Sequence, residues 1–167
     1  MIKLISHRGN LNGKNPEREN HPDYIMEAIN QGYHVEVDIR SKDGKLYYGH
    51  DHPQYEVKGN LLRFQRVICH AKDKEAFRLM LEDGEIHCFW HDKDNYTITS
   101  RGLVWVHPTK ELLPNSVCVL PEFLCSTRKF NSGNFKGITG CYAICSDRIA
   151  ELVEGSIPET LKKWTDE

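Results

Sequence analysis

The stretch MIKLISHRGN, residues 1–10, begins with an apolar run and ends by placing His7 and Arg8 side by side. The apolar residues of positions 2–6 predict a β-strand. Gly9 follows at once, and a glycine allows the backbone to turn sharply without a side chain in the way. The strand is therefore expected to end abruptly, with a histidine and an arginine presented together at the edge of a sheet.

The rest of the sequence repeats this pattern of strands that end in polar residues. The segment HVEVDIR, residues 34–40, alternates apolar and polar side chains, as a strand does. Further strands are predicted within residues 45–51, 66–72, 86–91, 96–108, 116–122 and 141–147. Asp23 is expected to cap a helix that ends near Gly32, and a second helix is expected over residues 73–84. Strands separated by helices or loops predict an α/β fold with a parallel sheet, whose later connections are too short for full helices.

Composition places the chain among globular proteins of ordinary character. Its 167 residues predict one domain over residues 1–167, with 39% hydrophobic and 28% charged residues. The formal charge of −2 gives no general attraction to nucleic acid or to an anionic membrane, and no apolar run approaches the ~20 residues of a membrane span. The short apolar start lacks the features of a signal peptide, so a cytoplasmic location is expected. Six cysteines without a CxxC pair indicate reduced, mostly buried thiols.

An acidic pair on the second strand is the first candidate for chemistry. Glu36 and Asp38 stand two residues apart, so both side chains leave the same face, with a backbone rise of about 6.6 Å between them. Such a pair can hold a hard divalent cation, which prefers oxygen ligands. A solvated acidic face on a half-buried antiparallel strand is the alternative. In a closed parallel barrel the pair would face the interior, where two carboxylates are unfavourable without a cation.

Two histidines that each follow a strand are the second candidate. His7 stands in SHRG and His50 in GHD, and two facing imidazoles can serve as general acid and general base near neutral pH. Arg8 offers a planar fork of donors that suits a phosphate group. Any single histidine can reach a strand end by chance. Both histidines beside an arginine and an acidic pair favour a common site.

Five short motifs, read in order, resemble the glycerophosphodiester phosphodiesterase family. They are HRG at 7–9, EN at 19–20, EVD at 36–38, DG at 43–44 and HD at 50–51. Their order and approximate spacing follow the family signature across the first third of the chain. Farther along, LVWVHP at 103–108 and CYAICSD at 141–147 resemble the last two strands of the family.

The resemblance implies a shortened TIM-type (β/α) barrel that hydrolyses a phosphodiester with a divalent cation, Mg²⁺ or Ca²⁺. It implies that His7 and His50 are the acid–base pair, and that Arg8 holds the phosphate. Glu36 and Asp38 would bind the metal, and Glu19 would support the site from its loop. In the family reaction a neighbouring hydroxyl of the glycerol attacks phosphorus, and water then opens the cyclic phosphate.

The third strand departs from the family pattern. The family supplies a further acidic ligand there in a Glu-x-Lys pattern, whereas this chain has ICHAK, with His70 in place of the glutamate and Lys72 retained. Histidine is a softer ligand, which makes Mn²⁺ possible beside Mg²⁺ and Ca²⁺. His70 is the favoured third ligand, with Glu122 as the alternative source of a carboxylate. Lys72 and Trp105 are candidates for substrate binding, although Trp105 can equally belong to the core.

These residues predict a phosphodiesterase for a small, glycerophosphodiester-like substrate, without nucleic-acid partners or stable membrane insertion. A phospholipase-like lyase that releases a cyclic phosphate and stops is one alternative. A non-catalytic barrel that binds a phosphorylated metabolite is another, because the acidic residue of the third strand is missing.

Overall fold

The computed structural model describes residues 2–123 and 141–155, with side chains described as far as residue 152. The strands of the described residues are β1 (Lys3–His7), β2 (His34–Lys42), β3 (Lys45–Tyr48), β4 (Tyr55–Glu56), β5 (Val67–Ala71), β6 (Cys88–Phe89), β7 (Tyr96–Ile98), β8 (Val104–Val106), β9 (Ser116–Val119) and β10 (Ala143–Ser146). The α-helices are α1 (Pro22–Asn30), α2 (Lys74–Asp83) and α3 (Ile149–Gly155). Single 3₁₀ turns lie at Leu61–Arg63 and Pro121–Phe123.

The strands form one mixed sheet with β1 near its centre. The main order is β7-β8-β9-β10-β1-β2-β5-β6, and the neighbours from β8 to β6 are parallel. β7 adds to one edge as an antiparallel strand, and the hairpin of β3 and β4 branches from the carboxyl half of β2. The carboxyl ends of seven neighbouring strands therefore meet along one rim.

The prediction of a TIM-type barrel was wrong. The protein is a curled mixed sheet with the form of a half-barrel, and the described residues contain three short helices rather than a helix after each strand. A helical crossover between parallel strands needs a dozen or more residues. β8 and β9 are joined by residues 107–115, which is too short, and the preceding segment folds as the β7–β8 hairpin instead.

The two predicted helices are present, with one correction at an end. α2 is capped by Asp73, whose side chain accepts a hydrogen bond from the Ala76 backbone N–H, and it ends at Gly84 with a φ of 72°. α1 begins at Pro22 and its N-cap is His21, not Asp23 as predicted. His21 Nδ1 accepts from the backbone N–H of Asp23, and a proline at the first helical position has no N–H that needs a partner.

The two faces of the sheet have different partners. The helices cover one face, where Val35, Val37 and Ile39 of β2 pack with α1 and α2. The opposite, inner face has a second apolar cluster without helical residues, centred on Ile5, Ile68, Phe89, Trp105 and Val117. On β1 the inner face has the polar residues Lys3 and His7 at its two ends and the apolar Ile5 between them. The inner cluster therefore separates the rim at the carboxyl ends from the rim at the amino ends.

The curl brings distant strands of the sheet into contact. The rings of Phe89 on β6 and Trp105 on β8 stack with centroids 4.5 Å apart. The backbone N–H of Ser100 also donates to the Cys88 carbonyl oxygen at 2.8 Å. Aromatic stacking and a few hydrogen bonds, rather than a strand ladder, connect these parts of the sheet.

Two further expectations concern the cysteines and the membrane. Cys69, Cys88, Cys118, Cys141 and Cys145 form no disulfide within the described residues and are buried, as predicted, and Cys125 lies outside the described residues. Within residues 2–123 and 141–155, no helix has the length and apolar character needed to cross a bilayer.

Ile5 of the inner cluster should contribute strongly to stability. Ile5 is 1% exposed there, and Ile5→Ala should reduce the free energy of unfolding by about 2–5 kcal/mol because it leaves a cavity. Ile98→Ala is the matched control, since Ile98 is 72% exposed, and it should change stability by less than about 1 kcal/mol. Urea unfolding followed by circular dichroism measures both. Equal effects of the two substitutions would contradict the assignment of the core.

Candidate active site

The HRG turn at the end of β1 is built by two residues in the left-handed region. Arg8 has a φ of 57° and Gly9 a φ of 92°. A Cβ on Gly9 would lie 2.7 Å from Tyr24 Cδ1, so only glycine fits against α1. The Arg8 backbone N–H donates to the Glu36 carbonyl oxygen at 2.8 Å, which ties the turn to β2. The sequence thus ends the strand by directing His7 and Arg8 toward the acidic residues of β2.

His7 is buried and held by two acidic residues. Its Nδ1 lies 2.6 Å from Asp147 Oδ1, and its Nε2 lies 3.7 Å from Glu36 Oε2. Burial opposes protonation of the imidazole, but the hydrogen bond with Asp147 and the charge of Glu36 outweigh it and raise the pKa of His7. The bond with Asp147 fixes the ring, so Nε2 is the nitrogen directed toward Glu36.

Asp147 is itself fixed from two sides. Its Oδ1 accepts a hydrogen bond from Asn10 Nδ2 at 2.9 Å, and its backbone N–H donates to Glu122 Oε1 at 2.9 Å. Glu122 Oε2 also accepts from Ser146 Oγ at 3.0 Å. Burial raises the pKa of the Glu122 carboxyl group. Glu122 therefore supports the end of β10 and does not lie with Glu36 and Asp38.

Glu36, Asp38 and His70 form the one group in the described chain whose ligand atoms lie close enough for a single metal ion. One ligand atom from each residue lies within 4.8 Å of the others. His70 Nδ1 is 3.6 Å from Glu36 Oε1 and 3.5 Å from Asp38 Oδ1. The register explains the cluster, because Asp38 of β2 pairs directly with His70 of β5. Glu36 Oε2 and Asp38 Oδ1 are buried and accept no hydrogen bond.

Asp38 is positioned by an amide and surrounded by cationic groups. Asn20 donates through Nδ2 to Asp38 Oδ2 at 3.0 Å and accepts from the Asp38 backbone N–H at 2.8 Å. Arg8 Nε lies 2.8 Å from Asp38 Oδ2, and Lys72 Nζ lies 3.7 Å from Oδ1. Burial would raise the pKa of Asp38, but Arg8, His70 and Lys72 outweigh it and lower that pKa. Asp38 is therefore held as a carboxylate.

Glu19 supports the arginine rather than the acidic cluster. Arg8 Nη1 donates to Glu19 Oε2 at 3.1 Å, and Asn10 Nδ2 donates to Glu19 Oε1 at 2.9 Å. Asn10 thus bridges Glu19 and Asp147, which links the supports of Arg8 and His7. The role of Glu19 in supporting the site, by hydrogen bonding or metal contact, stays a prediction.

These groups open into a cavity of about 430 Å³ at the carboxyl ends of the strands. His50 lies on its rim with its side chain 38% exposed, and His50 Nδ1 is 2.7 Å from Asp51 Oδ1. Trp105 contributes to the wall but is buried in the inner cluster. Seven predicted site residues line this one cavity: His7, Arg8, Glu36, His50, His70, Lys72 and Trp105.

The cavity wall also contains two further histidines, His91 at the end of the strand predicted within residues 86–91 and His107. His91 stacks on His70 with ring centroids 4.9 Å apart, and His107 lies on the wall nearby. His91 Nδ1 is buried without a hydrogen-bond partner, and burial lowers the pKa of His91 to about 4. His91 is thus a neutral imidazole. The position of His91 at the end of an apolar run was visible in the sequence, but nothing there indicated its stacking partner.

Comparison with known proteins identifies no relative. No protein-family model, curated protein or solved structure matches this chain. The resemblance to glycerophosphodiester phosphodiesterases therefore stays a prediction.

Asp147→Asn should lower the pKa of His7. The substitution removes the negative charge that favours the imidazolium, while burial, which disfavours it, remains. Histidine-labelled, metal-free protein titrated by NMR measures the change. Asp51→Asn is the matched control, because Asp51 contacts His50 rather than His7, and it should leave the pKa of His7 in place. An unchanged pKa of His7 in the Asp147→Asn protein would contradict the proposed pairing.

Proposed function

We propose that the protein is a metal-dependent phosphodiesterase that cleaves a small, glycerophosphodiester-like substrate by acid–base catalysis with His7 and His50. The observation that carries the proposal is the pair of buried carboxylate oxygens that accept no hydrogen bond, Glu36 Oε2 and Asp38 Oδ1, beside His7 and Arg8. Buried carboxylate oxygens without a hydrogen bond are energetically unfavourable unless a cation completes their environment.

The donor set fits a divalent cation held by Glu36, Asp38 and His70. Two carboxylates suit Mg²⁺ and Ca²⁺, and the imidazole nitrogen raises the relative affinity for Mn²⁺. When bound, such an ion offsets negative charge that develops on phosphoryl oxygens. Glu122 is engaged with Ser146 and Asp147, so it is not proposed as a ligand.

His7 is proposed as the general base. Because Asp147 engages Nδ1, Nε2 is free to accept the proton of the attacking hydroxyl, which is either a neighbouring hydroxyl of the substrate or water. The oxygen–phosphorus bond forms as this proton is transferred. Because His7 is buried and its ring is fixed, the proton transfer to His7 is proposed on the side of the phosphate that faces the protein interior.

His50 is proposed as the general acid. It lies on the exposed rim of the same cavity, where a departing alcohol can reach solvent. As the phosphorus–oxygen bond to the leaving group breaks, His50 gives that oxygen a proton, so the product is a neutral alcohol. Arg8 and Lys72 supply positive charge for the phosphate at the acidic end of the cavity.

Metal dependence separates an enzyme from a binding module. After treatment with EDTA, hydrolysis of glycerophosphodiesters should stop, and Mn²⁺ should restore it at lower concentration than Mg²⁺ or Ca²⁺ because His70 offers nitrogen. Phosphate-product analysis by ³¹P NMR distinguishes a monoester from a cyclic phosphate, hence hydrolase from lyase. The Glu36→Gln protein should require a higher cation concentration to restore hydrolysis. Substrate binding without any product in all metal conditions would refute catalysis and favour the binding module.

A change of leaving group should distinguish the two histidines. His50→Ala should lower kcat by about 100-fold or more on an alkyl diester, but far less on a p-nitrophenyl diester, whose alcohol leaves without protonation. His7→Ala should impair both substrates. His52→Ala is the matched control, because His52 is exposed and does not line the cavity. Equal losses for His50→Ala on both substrates would remove His50 as the acid.

A further inference from the structure

A second cavity lies at the opposite end of the inner face. Its volume is about 140 Å³, and it lies where the parallel strands begin. The apolar floor includes Ile5, Ile68, Leu103 and Ala143 of the inner cluster. The polar residues of the wall are Lys3, His34, Gln65, His87, Arg101 and Tyr142.

The wall has cationic and neutral groups but no carboxylate. Lys3 Nζ lies 5.1 Å from the centre of the Tyr142 ring, and Arg101 Nη2 donates to the Glu85 carbonyl oxygen at 2.7 Å. Neither side chain forms an ion pair with an acidic residue in the described part of the chain. Both side chains therefore bring positive charge to the mouth of a cavity that has an apolar floor and no carboxylate in its wall.

Two histidines, His34 and His87, also line this cavity. His87 is buried and its Nε2 is 2.8 Å from Thr99 Oγ1, whereas the imidazole of His34 makes no hydrogen bond within the described residues. Burial, together with the charges of Lys3 and Arg101, lowers the pKa of His87 to about 4, and burial with Lys3 lowers that of His34 to about 4. Burial, reinforced by the nearby positive charges, thus favours the neutral form of both rings.

We infer that this cavity binds a small organic anion, with a carboxylate or phosphate headgroup beside Lys3 and Arg101 and a short apolar body against Ile5 and Leu103. Size limits the body, because a protein cavity of about 150 Å³ holds benzene. His34 provides an unused ring nitrogen for a hydrogen bond to the headgroup. The inner cluster separates this cavity from the candidate active site, so the binding does not depend on the proposed phosphodiesterase activity.

The test is a titration of the full chain with benzoate, its neutral isostere benzamide, and inorganic phosphate. Histidine resonances in NMR locate the binding: benzoate should shift His34 and His87 and leave His7 and His70 in place. Benzamide should bind at least about tenfold more weakly, because it lacks the charge that Lys3 and Arg101 recognise. If phosphate shifts the same two histidines, the cavity recognises the charged headgroup alone. If phosphate does not shift them, the ligand is a carboxylate with an apolar body.

Variants of the cavity wall provide the second part of this test. Lys3→Gln and Arg101→Gln should each weaken benzoate binding by about tenfold. Lys58→Gln removes one exposed positive charge that does not line the cavity, and it should leave binding unchanged. Lys3 is exposed, so its replacement should leave the fold intact even if Arg101→Gln does not. Equal affinity for benzoate and benzamide, equal loss in Lys58→Gln, or no shift at His34 and His87 with any probe would overturn the inference.

Discussion

The burial of Glu36 and Asp38 side by side on one strand is the constraint on which the rest of this structure depends. Two carboxylates in an apolar interior are unfavourable unless nearby groups compensate them. Asn20, Arg8 and Lys72 converge on Asp38, while His7 approaches Glu36 and His70 approaches both acids. Two carboxylate oxygens nevertheless remain without a hydrogen bond. The side chains around the acidic pair thus compensate its charge without completing its hydrogen bonds.

The backbone is strained at two residues whose side chains contact Asp38. Arg8 and Asn20 both adopt positive φ, at 57° and 63°, although neither is glycine, and such residues cost about 1–3 kcal/mol each. The Asn20 backbone N–H donates to the Arg8 carbonyl oxygen at 3.0 Å, so each strained residue holds the other. Their side chains then reach Asp38 together. Two strained residues thus hold one carboxylate, and backbone strain of this kind clusters at functional sites.

Local sequence patterns were enough to select the candidate site residues. Only the three-dimensional structure shows which residues position them. The two-residue period of β2 places Glu36 and Asp38 on one face, and the position of His70 after an apolar run places it at the same rim. The connection lengths, not the strand pattern, decided against the TIM-type barrel. Asp147 was visible as a polar residue after a strand, but its partner lies 140 positions away in the chain. No local period relates residues at that distance, so the pairing became evident only from the register of β1 with β10.

That register has a consequence for how the protein is made. β1 lies between β2, which follows it closely, and β10, which is almost the last element described, with Lys3 opposite Ala143. Contacts between such distant segments form late, because the intervening chain must first be ordered. During synthesis the first strand emerges from the ribosome long before its second neighbour exists. His7 consequently acquires Asp147 only when β10 docks, so partly folded forms of the chain contain the acidic pair without its oriented imidazole.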